Sequence, residues 1–455
     1  MYNNTTWQPS ATLGLLACCL VFCASSTATA EDAMPAARRV LPVDGRSWEA
    51  RLLAITAAGR ITMERHGKRA EFAWEDLVEW GSPFEPRRGA VVITTGGSWL
   101  VGEVKEVQDD QLTLHCRSAG RLVVPMTHVR GLLLTLPVDP AARDRLVARI
   151  ESDTRDSDQV ALVNGDLLRG TLVDLDERLL RFETASGTLS IRRDRIVAFL
   201  ADPALLLTPS DRNTARTSAG LRDGSVWRIG PRAADTDAGR RAARLASPAV
   251  CRGGSNEAAQ RRTLGKTGLE VTDGRLRARL TDGLVVPDLP ADEFVFLQPA
   301  VPRLLYLSDL APEATFSRPS LQLRWPLGED RAAHGGRLRA GGRLYLKGLG
   351  MHSAASVTYP LDGPFDRFDT EVAIDDRAGR RGSAIFRIAL LRSGRWQEVV
   401  ESDVVRGGQP PLSLSVDLTH ATAIRLQVDV ADHGDEGDFA DWLLARLVRS
   451  RRPTP

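Results

Sequence analysis

A strict alternation of apolar and polar residues through the last third of the chain limits the fold more than any other feature. Phe368, Thr370, Val372 and Ile374 fall on one parity, and Ala384, Phe386 and Ile388 repeat the pattern. Leu412, Leu414, Val416 and Leu418 do so again, followed by Ile424, Leu426, Val428 and Val430. A period of two marks a strand with one buried face. Turns at Asp362-Gly363, Gly379, Ser393-Gly394 and Gly407-Gly408 separate the runs, so an antiparallel β-sandwich is predicted.

The front half is self-similar. Asp44-Gly45, Gly96-Gly97, Asn164-Gly165 and Asp223-Gly224 each open a short module of turn, strand, turn, strand, turn, strand. Copies of about 40 residues are too small to bury a core alone, so they must pair, stack or close into small barrels. Residues 40–135 are read as two such units, 157–200 as a third and 217–299 as a fourth. Each resembles a small SH3-like or Sm-like barrel. The fourth is interrupted at 231–266 by an Ala-, Arg- and Gly-rich insertion with few large apolar residues, read as a flexible loop. Between the second and third units, 138–151 carries an Asp cap, an early Pro and a stripe of Leu146, Val147 and Ile150, predicting a connecting helix. The fold class is therefore mainly β: an array of small barrels, then a sandwich over 304–450.

The first 30 residues read as a signal peptide, with an apolar run from Leu13 to Phe22 and a small-x-small site at Ala28-Thr29-Ala30. The run is too short to span a bilayer, so no transmembrane span is expected in the mature chain. The protein is placed outside the cell, in the periplasm or in the envelope. Leu15-Leu16-Ala17-Cys18 offers a competing lipoprotein site. Cleavage near Ala30 leaves Cys116 and Cys251, whose pairing the sequence leaves open.

Charge excludes one class of partner. With 60 basic against 58 acidic residues, and the arginines scattered rather than striped, nucleic acid is not expected. Chemistry is not expected either. No Gly-x-Ser-x-Gly, His-Glu-x-x-His or Cys-x-x-Cys occurs, and Gly265-Lys266-Thr267 lacks the first glycine of a phosphate loop. Carboxylates do gather at Asp375-Asp376 and around Asp438 and Asp441, but a glycosidase needs two converging across a cleft.

Several segments of the sandwich region carry a resemblance as a set. They are Tyr306 to Leu310, Lys347-Gly348-Leu349-Gly350-Met351-His352-Ser353, Phe365 to Phe368, Ile374-Asp375-Asp376, Gly382 to Phe386, Val405 to Gly408 and Asp438-Phe439-Ala440-Asp441-Trp442. In order and spacing they resemble the NPCBM family, related to sugar-binding modules appended to glycoside hydrolases. The resemblance implies a jelly-roll, galactose-binding-like sandwich that holds a sugar in loops at one end. Two departures are visible: the stretch from Ala311 to Arg339 offers only Trp325-Pro326 where a Trp- and Asn-Gly-rich segment is usual, and Phe439 stands where a His is common.

A saccharide needs a flat aromatic surface and fixed polar groups, so His352, Trp442, Asp441, Arg406, Trp396 and Tyr345 are the ligand-facing candidates. Alternative roles stand beside these: Trp442 as a core plug, His352 as a satisfied corner residue, Asp438 and Asp441 as bonds to backbone amides. The acidic run around Asp435 and Asp438 reads as a structural calcium loop or as a solvated turn; no cofactor is required. The leading expectation is a secreted, non-catalytic protein that binds an extracellular polysaccharide or glycoconjugate, with the repeats as spacer or contact platform. The rivals are an envelope structural or protein-interaction protein whose sandwich has lost its sugar site, with other envelope proteins as partners, and a glycoside hydrolase accessory or catalytic protein.

Overall fold

The computed structural model describes residues 36–152, 154–207, 216–230, 268–318, 325–432 and 434–450. The leader, Cys251, the insertion 231–266, Gly265-Lys266-Thr267 and His433 lie outside the described residues. Among the described residues, no helix is long and apolar enough to cross a membrane.

The front half builds one design four times. In the first unit the strand Arg38–Pro42 pairs antiparallel with both Trp48–Ile55 and Leu77–Gly81, and the hairpin strands Arg60–Arg65 and Lys68–Ala73 lie between them in sequence. A first strand bonded to the second and the last closes the sheet on itself, which leaves fewer free edges. The opening strands Ala90–Thr94, Asp158–Leu162 and Thr217–Leu221 make the same two pairings in the later copies. A single 3-10 turn precedes each last strand, at Trp74–Asp76, Met126–His128, Arg193–Arg195 and Ala291–Glu293. In the first three copies the long second strand carries a register shift at equivalent places, Leu52/Ala54, Val104/Glu106 and Leu172/Asp174. Such bulges bend a strand so that its two halves serve both sides of a barrel.

The three-strand module read from sequence is thus corrected. The glycine turns join the first strand to the second, and Gly45, Gly97, Gly165 and Gly224 all take the positive φ such turns need. What the reading missed was the short strand ahead of each turn. The units then join edge to edge: Gly131 pairs with Leu200 across units two and three, and Leu297 with Trp80 across units four and one. One apolar core runs from Val40 to Leu297 through all four. Helix Pro140–Glu151 begins where Asp139 accepts from the Ala141 and Ala142 amides, both at 3.1 Å, and lays Val147 and Ile150 on the sheet.

The last third is a sandwich of two antiparallel sheets. One runs Gly328–Glu329, Gly348–His352, Phe439–Val448, Arg367–Ile374, Leu412–Asp417; the other runs Ala314–Ser317, Ala355–Pro360, Ala421–Val430, Ser383–Arg392, Arg395–Glu401. Phe368, Val372 and Ile374 meet Phe386, Ile388, Leu426 and Val428 in its core. Gly350 is required by packing, since a Cβ there would lie 2.4 Å from the Ala332 Cα.

The outer face of the first sheet is not free. A register shift leaves Leu444 as an extra residue, at φ +51°, so that Leu443 and Leu444 both turn away from the sandwich core. They join Leu338, Tyr345 and Val448 against Leu41, Val43 and Val78 of the first unit. Charged pairs ring this seam: Arg343 to Glu79 at 3.0 Å, Arg303 to Asp76 at 3.2 Å, Arg339 to Asp144 at 2.6 Å, and Arg39 to Glu371.

Candidate functional site

Three segments of the sandwich converge on one groove. Strand Ala314–Ser317 pairs with Ala355–Pro360 at the sheet edge, and Gly328–Glu329 pairs with Gly348–His352 in the other sheet. The edge of each sheet is thereby brought to the same flank. The cavity left there is about 480 Å³ and is lined by Phe316, Trp325, Met351, His352 and Val357, with Thr315, Ser317 and Ser356 supplying hydroxyls. That volume suits a small ligand.

Rings from four segments meet at this groove. Trp325 stacks on His352 with centroids 5.3 Å apart and planes 16° from parallel. Phe439 lies directly opposite His352 in the strand pair, and its ring stands T-shaped to Trp325, with centroids 5.1 Å apart, and to His352, with centroids 5.5 Å apart. His334 adds a further edge contact to Phe439, and its Nε2 lies 3.3 Å from Asp375 Oδ1. Stacked and T-shaped pairs at these separations hold one another in orientation. Burial pushes the His352 imidazole below its ordinary pKa, so it is neutral at pH 7 and offers one donor and one acceptor. Phe316 is 63% exposed, which leaves an uncovered ring on the groove wall.

The groove thus sets apolar ring surface beside hydroxyls and a neutral imidazole, the mix of apolar area and a few placed polar groups found in small-ligand sites. Residues 303–448 match the NPCBM/NEW2 domain. Part of the chain is also similar to a Renibacterium salmoninarum protein provisionally named an endo-alpha-N-acetylgalactosaminidase, at 29% identity over 128 residues, 28% of this chain. The similarity spans only 8% of that relative's length. Among solved structures, a Clostridium perfringens ZmpB fragment containing CBM51-2 in complex with GlcNAc is similar at 28% identity, covering 40% of this chain and 38% of that one with a TM-score of 0.29. A CBM51 from Clostridium perfringens GH95, in complex with methyl-galactose, is similar at 22% identity, covering 32% of this chain and 99% of that one with a TM-score of 0.28.

The NPCBM/NEW2 domain does not gather the six residues expected from sequence. His352 alone lies in the groove. Trp442 is fully buried and meets Phe386 edge-on at 5.1 Å, so it is corrected from a stacking surface to a core residue. Tyr345 is corrected likewise: it lies in the seam with its hydroxyl donating to Glu371 Oε2 at 3.3 Å. Asp441 is fully buried next to Trp442, and burial together with Asp375 and Asp376 holds its carboxyl well above the usual range. A side chain with no exposure cannot reach a solvent-borne ligand, so Asp441 is corrected too. Trp396 and Arg406 flank opposite ends of Ser383–Arg392, Trp396 beside Leu391 and under the Arg425 guanidinium at 4.0 Å, Arg406 beside Ser383 and paired with Asp432 at 2.6 Å.

Asp438 is also interior: its Oδ1 accepts the Ser383 amide at 2.9 Å, the backbone-bonding role considered for it from sequence. Among the described residues, no group of three or more His, Cys, Asp or Glu is arranged to hold a metal ion. Trp325 and Phe316 are the groove residues that sequence reasoning did not select. Trp325 was visible only as a lone ring before a proline, in a stretch without periodicity.

Proposed function

We propose that the protein is a non-catalytic glycan-binding protein and that the groove between Phe316, Trp325 and His352 holds a neutral sugar unit. The observation that carries this reading is the Trp325–His352 ring stack set into a groove with three hydroxyl side chains. A sugar's C–H face stacks on indole or phenyl, and the neutral imidazole exchanges hydrogen bonds with its hydroxyls. Membership of 303–448 in the NPCBM/NEW2 domain supports the same ligand class. Among the described residues, no carboxylate lines the groove, whereas glycoside hydrolysis uses a facing pair, which supports binding without chemistry. Galactose-like units fit the family resemblance, and a secreted or envelope location fits the expected leader. Titration calorimetry of the full chain with galactose, N-acetylgalactosamine and N-acetylglucosamine tests the proposal. Heat from at least one sugar, abolished in Trp325→Ala and His352→Ala proteins that still fold, is the expected result; silence from all three at millimolar concentration would sink it.

The burial of Trp442 and Tyr345 favours a second reading, in which the sandwich serves protein assembly. Its outer sheet face is already packed within the chain, against the first unit of the array.

A further inference from the structure

We propose a second binding site, for an acidic saccharide chain bearing carboxylates or sulfates, in the cleft where the segment linking the first two units passes between unit two, unit four and the sandwich. The cleft is about 1080 Å³, more than twice the sugar groove, and Arg87, Arg88, Arg117 and Arg222 line it. Among the described residues, none of these four forms an ion pair with a carboxylate; the Arg222 guanidinium donates to the Asp292 carbonyl oxygen, at 2.9 Å. Arg87, Arg88, Arg117 and Arg222 are all exposed.

The acids in the cleft do not offset them. Glu85 is bonded to Arg143 at 2.7 Å and to Arg339 at 2.8 Å, and Glu103 to Lys105 at 2.8 Å, so both are neutralised by cations outside the arginine cluster. Among the described residues lining the cleft, Asp223 is the one remaining carboxylate, and burial raises its pKa. Four guanidiniums thus face one uncompensated acid. A fifth lies behind them: the Arg38 guanidinium packs 5.3 Å from the centroid of Phe84, which also lines the cleft, and its Nε is buried without a partner. Burial and the charge of Arg222 hold Arg38 below its ordinary pKa. An anion in the cleft would relieve both.

Guanidinium forks match the paired oxygens of carboxylate and sulfate. Pro83 and Phe84 supply the apolar floor a sugar ring needs. With 60 basic and 58 acidic residues nearly in balance, the chain as a whole carries no strong positive field for a nucleic acid. The choice of a saccharide over another polyanion rests on the glycan reading of the sandwich; the anion site does not.

Affinity electrophoresis of the full chain through gels containing polygalacturonate, dextran sulfate or neutral dextran tests the site. Retardation by at least one of the two polyanions, weakening as salt rises, is expected, with none by neutral dextran. Arg87→Ala/Arg88→Ala/Arg117→Ala should lower the affinity about tenfold or more, roughly 1.4 kcal/mol. The corresponding lysine triple variant should keep most of it, and Trp325→Ala should leave it unchanged. The site is overturned by no retardation in either polyanion at low salt, or by retardation the alanine triple does not alter. Equal displacement by single-stranded DNA or poly-glutamate overturns the saccharide assignment. Loss of neutral-sugar binding in Trp325→Ala with polyanion binding intact separates this site from the groove.

Discussion

The repeat array and the sandwich bury apolar surface in opposite ways. In the array no unit owns its interior: one cluster threads Val40, Trp80, Leu132, Phe199 and Leu297, and Trp80 of the first unit packs on Phe294 of the fourth with ring centroids 5.5 Å apart. The sandwich closes a core between its two sheets and then spends a second apolar face on the seam. The difference teaches where binding surface can exist. A shared core leaves recesses at the joints between units, and a closed core leaves them at the edges of its sheets. The arginine cleft is of the first kind and the ring groove of the second.

The hardest test of this contrast is Trp442→Ala. Removing a fully buried tryptophan should cost about 3–5 kcal/mol. Calorimetry should show one depressed transition, because the seam ties the sandwich to the array; an upper transition that stays in place would mean that the two regions melt independently. Arg343→Ala comes next. It removes the 3.0 Å bond to Glu79, a nearly buried carboxylate, and should cost about 1–3 kcal/mol in chemical denaturation. A change below about 0.5 kcal/mol would show that Arg39, 3.7 Å away, carries Glu79 alone.

Trp325→Ala probes the groove. Sugar affinity should fall at least tenfold, roughly 1.4 kcal/mol or more and enough to silence the heat of a millimolar binder, while the melting temperature barely moves. A large drop in melting temperature would make Trp325 a core residue like Trp442. The smallest effect is the pH dependence of Asp441→Asn. The carboxyl is protonated in both states below its ordinary value of 3.8; above that the unfolded chain ionises first, so the native protein loses stability until the raised folded pKa is passed. The Asn variant escapes this loss. Its stability relative to the native chain should therefore grow from pH 4 to pH 7 in urea melts. A difference that is flat or reversed would mean that Asp441 acts as a carboxylate.

Much of the fold was legible because a period of two reports directly on burial. Phe368, Val372 and Ile374, and Ile424, Leu426 and Val428, all point into the sandwich core as their parity requires. The same parity cannot report what covers the other face. Tyr345 lay on such a face, and only the array, some 260 residues earlier in sequence where Glu79 meets Arg343, shows that the face is closed. The groove was the least legible part. Phe316, Trp325, His352 and Phe439 come from four separate segments; His352 was a candidate from sequence, but only the strand pairing places the other rings beside it. The opening strands of the repeats were missed because runs as short as Arg38–Pro42 are too brief to show a period.

The doubled leucine at positions 443 and 444 has a practical outcome for anyone dissecting the chain. Severing it near residue 303 would strip the cover from Leu338, Leu443, Leu444 and Val448 together, and a freshly bared oily sheet of that kind seeks another copy of itself. The carboxy-terminal module is not a passenger that can be unclipped and carried elsewhere; its solubility is on loan from the barrels upstream.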